Sequence, residues 1–328
     1  FPLGNQLSVT TGPMVRVDDA GMLGLWPSVY PADTVLDFFT YAGAPGAYNL
    51  AGLGAGAGFV YSPNWAKGLT ISQNYVSANG SSYANGTAAN AGSGNPSMGG
   101  IMTNGAGSAA ISQIGYASDK TPFIGGSYGI AFAYTYGQNL NLPVGTPMAL
   151  SYSDYNNTTG GYSSSNNYGL SGYWKPSKAG LIPSISWGFG GGTYNITTTG
   201  PATGNTGVNG ITVASWYTGL QWDDAFIKGN ALGMGVGQAP FVTQAGSAAA
   251  GTPRSTTTAA GFANGAYDSN YMWEWWYKFQ VTDNISVTPA IYYISNYDGQ
   301  YGLRNNSTGG QNASDNLFGG LIKTTFKF

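Results

Sequence analysis

Between tracts of glycine, serine, asparagine and threonine, the chain keeps returning to runs in which bulky apolar side chains fill every second position. In the segment 271–280, Tyr271, Trp273, Trp275, Tyr277 and Phe279 share one face of an extended strand, while Met272, Glu274, Trp276, Lys278 and Gln280 share the other, because successive strand side chains point to opposite sides. The segment 123–137 sets Tyr128, Ile130, Phe132, Tyr134 and Tyr136 against Ser127, Gly129, Ala131, Ala133 and Thr135. The last segment sets Phe318, Ile322, Phe326 and Phe328 against Asp315, Lys323, Thr325 and Lys327. A face this aromatic must meet either a protein core or lipid.

Composition decides between them. Charged residues are 7% of the chain, against roughly 25% in a soluble domain. Glu274 is the only glutamate. A soluble β-sandwich would carry many Lys and Glu outside. Yet no stretch approaches the ~20 apolar residues a membrane-spanning helix needs, and the bilayer admits only helices and closed barrels, since every backbone polar group must be paired. The expected fold is therefore all-β: a transmembrane antiparallel β-barrel in which residues 1–328 form one pore domain.

About twelve strands can be placed, at 5–18, 51–61, 67–78, 108–118, 123–137, 166–175, 181–197, 209–222, 227–238, 269–281, 284–297 and 314–328. Their connections alternate. Short ones fall at 62–66, 119–122, 176–180, 223–226 and 282–283; long ones at 19–50, 79–107, 138–165, 198–208, 239–268 and 298–313. Short periplasmic turns facing long extracellular loops are the outer-membrane pattern. An aromatic C-terminus, Phe328, placed on the periplasmic side puts every short turn there as well. The chain begins at Phe1 with no visible signal peptide, so residues are expected before it. Pro183 and Pro289 fall inside strand segments, where proline cannot donate to the ladder.

Several chemistries are excluded. The chain has no Cys and no His, which removes disulfides, thiolate metal sites and the commonest general base and transition-metal ligand. Barrel hydrolases built on a His lose their base, so no catalytic residue, metal or cofactor is expected. A net charge of −2 without a basic run gives nucleic acid nothing to hold. A purely structural anchor would be a smaller barrel with a filled interior.

The loop 19–50 is the candidate constriction. It is far longer than the ~2–5 residues of an ordinary hairpin connection, and it carries Leu25, Trp26, Val35, Leu36, Phe38 and Phe39, which a water-exposed loop has little reason to keep. Folding inward would bury them and leave Asp33 and Asp37, four apart and able to share a helical face, in the water path. A surface loop with Asp33 capping a helix is the alternative. Arg16 and Asp18, alternating with Val15 and Val17, are expected at the constriction too. Strand parity places Glu274, Lys278, Lys323, Lys327 and Lys175 on the lumen, Glu274 and Lys278 ~13 Å apart along one strand face; Lys175, Lys327 and Asp18 stand at strand ends. A charge facing lipid would cost ~2–4 kcal/mol for Lys or Arg near the midplane. Gly52, Gly54, Gly56 and Gly58 share a face bare enough for something to pack close, and the loop leads into it. Mixed signs and few charges predict weak ion selectivity.

Several stretches resemble cyanobacterial major outer-membrane porins of the carbohydrate-selective (OprB-type) porin family: Tyr30-Pro31-Ala32-Asp33, Phe38-Phe39-Thr40-Tyr41-Ala42-Gly43-Ala44-Pro45-Gly46-Ala47-Tyr48, Gly219-Leu220-Gln221-Trp222, Gly229-Asn230-Ala231-Leu232-Gly233-Met234, Trp276-Tyr277-Lys278, and Ile322-Lys323-Thr324-Thr325-Phe326-Lys327-Phe328. They are spread over nearly the whole chain. The resemblance implies a homotrimeric porin in outer-membrane lipid, with about 16 strands per barrel. It also implies an N-terminal S-layer-homology domain that binds cell-wall polymer; neither that domain nor the first strands appear here, and a closed 12-stranded barrel stays open as an alternative. The resemblance to the cyanobacterial type implies a passive, narrow channel chiefly for inorganic ions, a type sometimes linked to iron uptake; the broader family includes sugar-preferring channels, so a substrate-specific channel for carbohydrate or iron species is the alternative.

Overall fold

The structure, a computed structural model, describes residues 1–19, 21–31, 35–51, 53–78, 102, 107–122, 124–150, 162–197, 208–244, 246–248, 270–297 and 316–327. Twelve long strands carry it: β2 (Leu7–Val15), β3 (Gly54–Tyr61), β4 (Leu69–Ser77), β5 (Ser108–Ser118), β6 (Ser127–Gln138), β7 (Tyr162–Lys175), β8 (Ser184–Thr197), β9 (Val208–Asp223), β10 (Ala231–Gln244), β12 (Met272–Thr282), β13 (Ile285–Ile294) and β14 (Leu317–Phe326). Two short strands, β1 (Pro2–Leu3) and β11 (Ser247–Ala248), pair with β2 and β9. These two are too brief to leave a periodic signal. All belong to one antiparallel sheet in which the long strands pair in chain order; among the described residues the order ends at β14 without returning to β1 or β2.

The expected parity holds. Tyr271, Trp273, Trp275 and Phe279 are 41–44% exposed, while Glu274 and Trp276 on the same strand are 0% and 5% exposed. On β6, Ile130, Phe132 and Tyr136 are exposed and Ala131, Ala133 and Thr135 buried; on β14, Phe318, Ile322 and Phe326 are exposed. The bulky face is the outer, lipid-facing surface, and the small or polar face is the inner wall. No helix among the described residues is long and apolar enough to cross a membrane.

Strand ends moved where local chemistry masked them. β2 stops at Val15, short of 18. β7 starts at Tyr162 rather than 166, because Ser163-Ser164-Ser165-Asn166 hides a strand in loop-like composition. β10 runs past Pro240 to Gln244 by slipping register between Gln238 and Phe241. Pro183 precedes β8 rather than interrupting it. Pro289 lies within β13, and there the pairing with β12 passes from Trp276–Ala290 to Phe279–Val287. A residue without an N–H is tolerated where the ladder is already interrupted.

The inner wall is not bare. Segment 16–51 lies against it, with a 3-10 helix at Asp37–Tyr41 and a one-turn helix, α1, at Pro45–Tyr48 touching β6, β7 and β8. A second inward segment, residues 139–150, is part of the long connection 138–165, one of those assigned to the extracellular side. Its Leu142, Met148 and Ala149 pack with Tyr194, Ile211, Val213 and Val242 of the wall.

Candidate functional site

Segment 16–51 makes little secondary structure of its own, so its backbone groups must find partners elsewhere. The wall supplies them, strand by strand. Asn74 on β4 donates its side-chain amide to Val17 O at 3.1 Å, and Gln113 on β5 donates to Leu25 O at 2.8 Å. Thr135 on β6, Ser171 on β7 and Ser215 on β9 donate hydroxyls to Ala47 O, Ala42 O and Gly43 O, each at 2.7 Å. Ser186 on β8 accepts the N–H groups of Val29 and Tyr30 at 3.0 and 3.1 Å. Ser28 and Tyr217 share a hydroxyl bond of 2.7 Å. One face of the sheet thus holds a single segment from β4 to β12.

Glu274 closes that series. It faces inward as parity requires, but it is completely buried. Its Oε1 accepts the Tyr30 hydroxyl at 3.1 Å and its Oε2 accepts the Leu36 N–H at 2.8 Å. Trp276 donates its indole N–H to the same Tyr30 oxygen at 3.0 Å. Burial, and then the charge of Glu274, raise the Tyr30 hydroxyl far above its ordinary ionisation range, so it stays a donor. A carboxylate taken from water needs such partners; Glu274 holds the loop rather than lining open water.

The aromatics of the segment fill the space between. Phe38 and Phe39 are buried at 2% and 0% exposure, and Tyr30 sits edge-on to Phe39, Tyr217 and Trp276. Trp26 meets Tyr48 edge-on at 5.0 Å. Wall glycines set the approach distance. A Cβ on Gly188 would run into Ala42 O, one on Gly219 into the Tyr30 ring, and one on Gly190 would come within 2.8 Å of Ala44 Cα. The glycine face expected to receive the loop does not: on β3, Gly56 is covered by Val76 and Val15 and Gly58 by Asn74, all neighbouring wall residues. Gly52 lies outside the described residues.

The expected constriction residues are distributed as follows. Asp37 begins the 3-10 helix, is exposed, and accepts the Tyr41 hydroxyl at 3.0 Å. Burial and that bond push Tyr41 up to about 12. Asp33 lies outside the described residues. At the end of β2 and just beyond it, Val15 and Val17 pack inward, with Val76, Ile111 and Ala133, while Arg16 is exposed. Asp18 is half-buried, its Oδ1 without a hydrogen-bond partner among the described residues; burial raises its carboxyl above the usual range against the pull of Arg16. Lys278 and Lys323 are half-buried, and Lys327 exposed, together beside one cavity near the short turns. Lys175 pairs with Asp223 at 3.3 Å at the same end.

An aromatic outer surface, a polar inner wall and a long segment seated inside define a transmembrane barrel of the porin class. The chain belongs to the carbohydrate-selective porin, OprB family, whose profile it matches over residues 21–328; this is a family of outer-membrane channels. The chain is also similar to an uncharacterized protein of Nostoc sp., at 29% identity over 187 residues, which are 56% of this chain and 24% of that protein. No solved structure matches.

Proposed function

We propose that the protein is a passive diffusion channel for small hydrophilic solutes, chiefly inorganic ions, and that segment 19–50 narrows its lumen. The observation that carries this reading is the seating of that segment: backbone bonds to wall side chains from Gln113 on β5 to Glu274 on β12 hold it on the inner face. What it leaves facing water is polar and sparse in charge, with Asp37 on the loop and lysines below it. Such a path admits small solutes by size and steers ions weakly.

A carbohydrate-preferring channel is the second reading, favoured by the family the chain belongs to. Sugar paths want aromatic faces open to the lumen. Trp276 is 5% exposed and tied to Tyr30, and Tyr292 packs over Gly319, so the open aromatic surface is small. Single-channel recording in salt gradients, with liposome swelling in sugars of rising size, separates the two. Ion conduction with swelling rates that follow solute size alone supports the first reading; saturable sugar uptake, or sugar block of ion current, supports the second. As a porin of this family the protein is expected to assemble as a homotrimer, so unheated samples should migrate as an oligomer.

A further inference from the structure

The second inward segment, residues 139–150, is anchored at two separate places. It leaves β6 at Asn139, whose φ of 51° is left-handed and turns the chain off the sheet. Two bonds tie Asn139 to the start of β7: its N–H donates to Ser163 O at 2.8 Å, and its Oδ1 accepts the Ser163 N–H at 2.9 Å. The far anchor lies on β10, where Thr146 donates its N–H to Pro240 O at 2.9 Å. That carbonyl can accept because the register slip between Gln238 and Phe241 takes Pro240 out of the β9 pairing, and the β12 pairing ends at Gly237. The approach is close: a Cβ on Gly145 would come within 3.2 Å of Pro240 O. Leu150 then donates its N–H to Thr146 O at 2.9 Å, closing one helical turn.

Between the anchors the side chains grip in two directions. Leu142, Met148 and Ala149 are buried against β8, β9 and β10. Leu140 packs on the cluster that holds Tyr48, Leu50 and Ala51, and Val144 on the one that holds Tyr30, Phe38 and Phe39. Those six residues all belong to the first inward segment, so the second one bears on the wall and on the first segment at once. Pro143 and Pro147 fix φ at two points and stiffen it. Asn141, Pro143 and Pro147 keep part of their surface open, and no residue from 139 to 150 is charged. A passage edged by such groups selects by width rather than by sign of charge.

We propose that residues 139–150 are a specificity-determining strap, which locks the first segment onto the wall and forms the uncharged half of the constriction, setting the size limit for solutes. The inference rests on the channel reading and adds a second narrowing to it. Because Leu140 and Val144 lean on the first segment, the strap loses part of its support when that segment is removed, and the two open together.

The test measures single-channel conductance, and liposome swelling in glycerol against a neutral trisaccharide, on the full-length protein. Two released forms are compared with wild type: L142S/M148S, which removes the apolar grip, and a chain in which residues 140–150 become glycine and serine at equal length. I124S is the control, Ile124 being 69% exposed in the β5–β6 connection at the other end of the strands. A released form that keeps its β circular-dichroism spectrum should conduct about twofold more current, and its trisaccharide-to-glycerol swelling ratio should rise about as much, because pore width governs the passage of neutral solutes. I124S should match wild type. The lock is read at Ala47→Cys, a position 1% exposed in a chain with no other thiol; it should react faster with a water-soluble thiol reagent in the released forms. Unchanged conductance and swelling ratio, or unchanged labelling, overturns the proposal. So does loss of the β spectrum in both released forms, since a strap that only lines the lumen is dispensable to the strand ladder. A wild type that conducts nothing sinks the channel reading instead, whereas a conducting wild type matched by both released forms sinks the strap alone.

Discussion

At the scale of single residues, Glu274 does work that its position alone did not announce. Parity put it on the lumen; the structure adds that it is sealed there and anchors Tyr30 and Leu36. Glu274→Ala removes the acceptor of both bonds and strands a buried hydroxyl and N–H, at a cost of ~3 kcal/mol. Glu274→Gln keeps the volume and one acceptor and should cost ~1–2 kcal/mol. The expected result is faster proteolytic cutting within residues 16–51, Ala above Gln above wild type; equal rates would mean that Glu274 is not the tether. Asp18 behaves in the opposite sense. Burial raises its carboxyl above the unperturbed 3.8, so in that window the folded protein binds more protons than the unfolded chain. Stability then falls as pH rises through the folded value, and at neutral pH the full cost of the buried charge is present. Asp18→Asn should therefore raise the melting temperature at pH 7, with the gain vanishing below pH 3.8; a gain that persists in acid would point to a cause other than charge.

At the scale of elements, the seat of the inward segment is a set of missing side chains. The chain at residues 42–44 lies directly over Gly188 and Gly190 of β8. Gly188→Val should lift it, whereas Gly191→Val, whose Cβ would meet only Val213 O at an ordinary 3.6 Å, should leave it in place. A cysteine at Thr40 then reports the difference: it should react faster with a water-soluble thiol reagent in the Gly188 variant, and equal rates in both would disprove the close approach. Much of this level was legible in the sequence. Period two is a local property, so the twelve strands and their outer faces could be placed without knowing any partner. The inward course of 19–50 was legible too, because Phe38 and Phe39 are too apolar for water. What stayed hidden depended on partners distant in sequence. The glycines of β3 looked like a seat and are covered instead by Val15, Asn74 and Val76. The segment 139–150 carries scattered Leu142 and Met148 with no period, and only their pocket against Tyr194 and Val242 makes them inward-facing.

At the scale of the whole molecule, the ladder from β2 to β14 and the segment inside it are separable structures. Every pairing of the long strands is strand to neighbouring strand, and none is made through residues 24–47. The wall groups that now bond the segment, such as Ser171, Ser186 and Thr135, are hydroxyls that water can satisfy when the segment leaves. Deleting 24–47 should therefore cost stability without costing the barrel. The loss would come from burial of Tyr30, Phe38 and Phe39, each worth ~1.5–3 kcal/mol. Leu23 and Tyr48 belong to one packed cluster, so a short glycine linker can join the cut ends. The deleted protein should keep its β circular-dichroism spectrum, melt at a lower temperature, and conduct severalfold more current per channel. Asp33→Asn with Asp37→Asn, in the intact chain, should instead leave conductance near wild type and shift the reversal potential towards anions, because it removes charge and not volume. If deletion leaves conductance unchanged while the spectrum stays β, the segment lies off the solute path, and the narrowing must come from wall side chains such as Lys278 and Lys323.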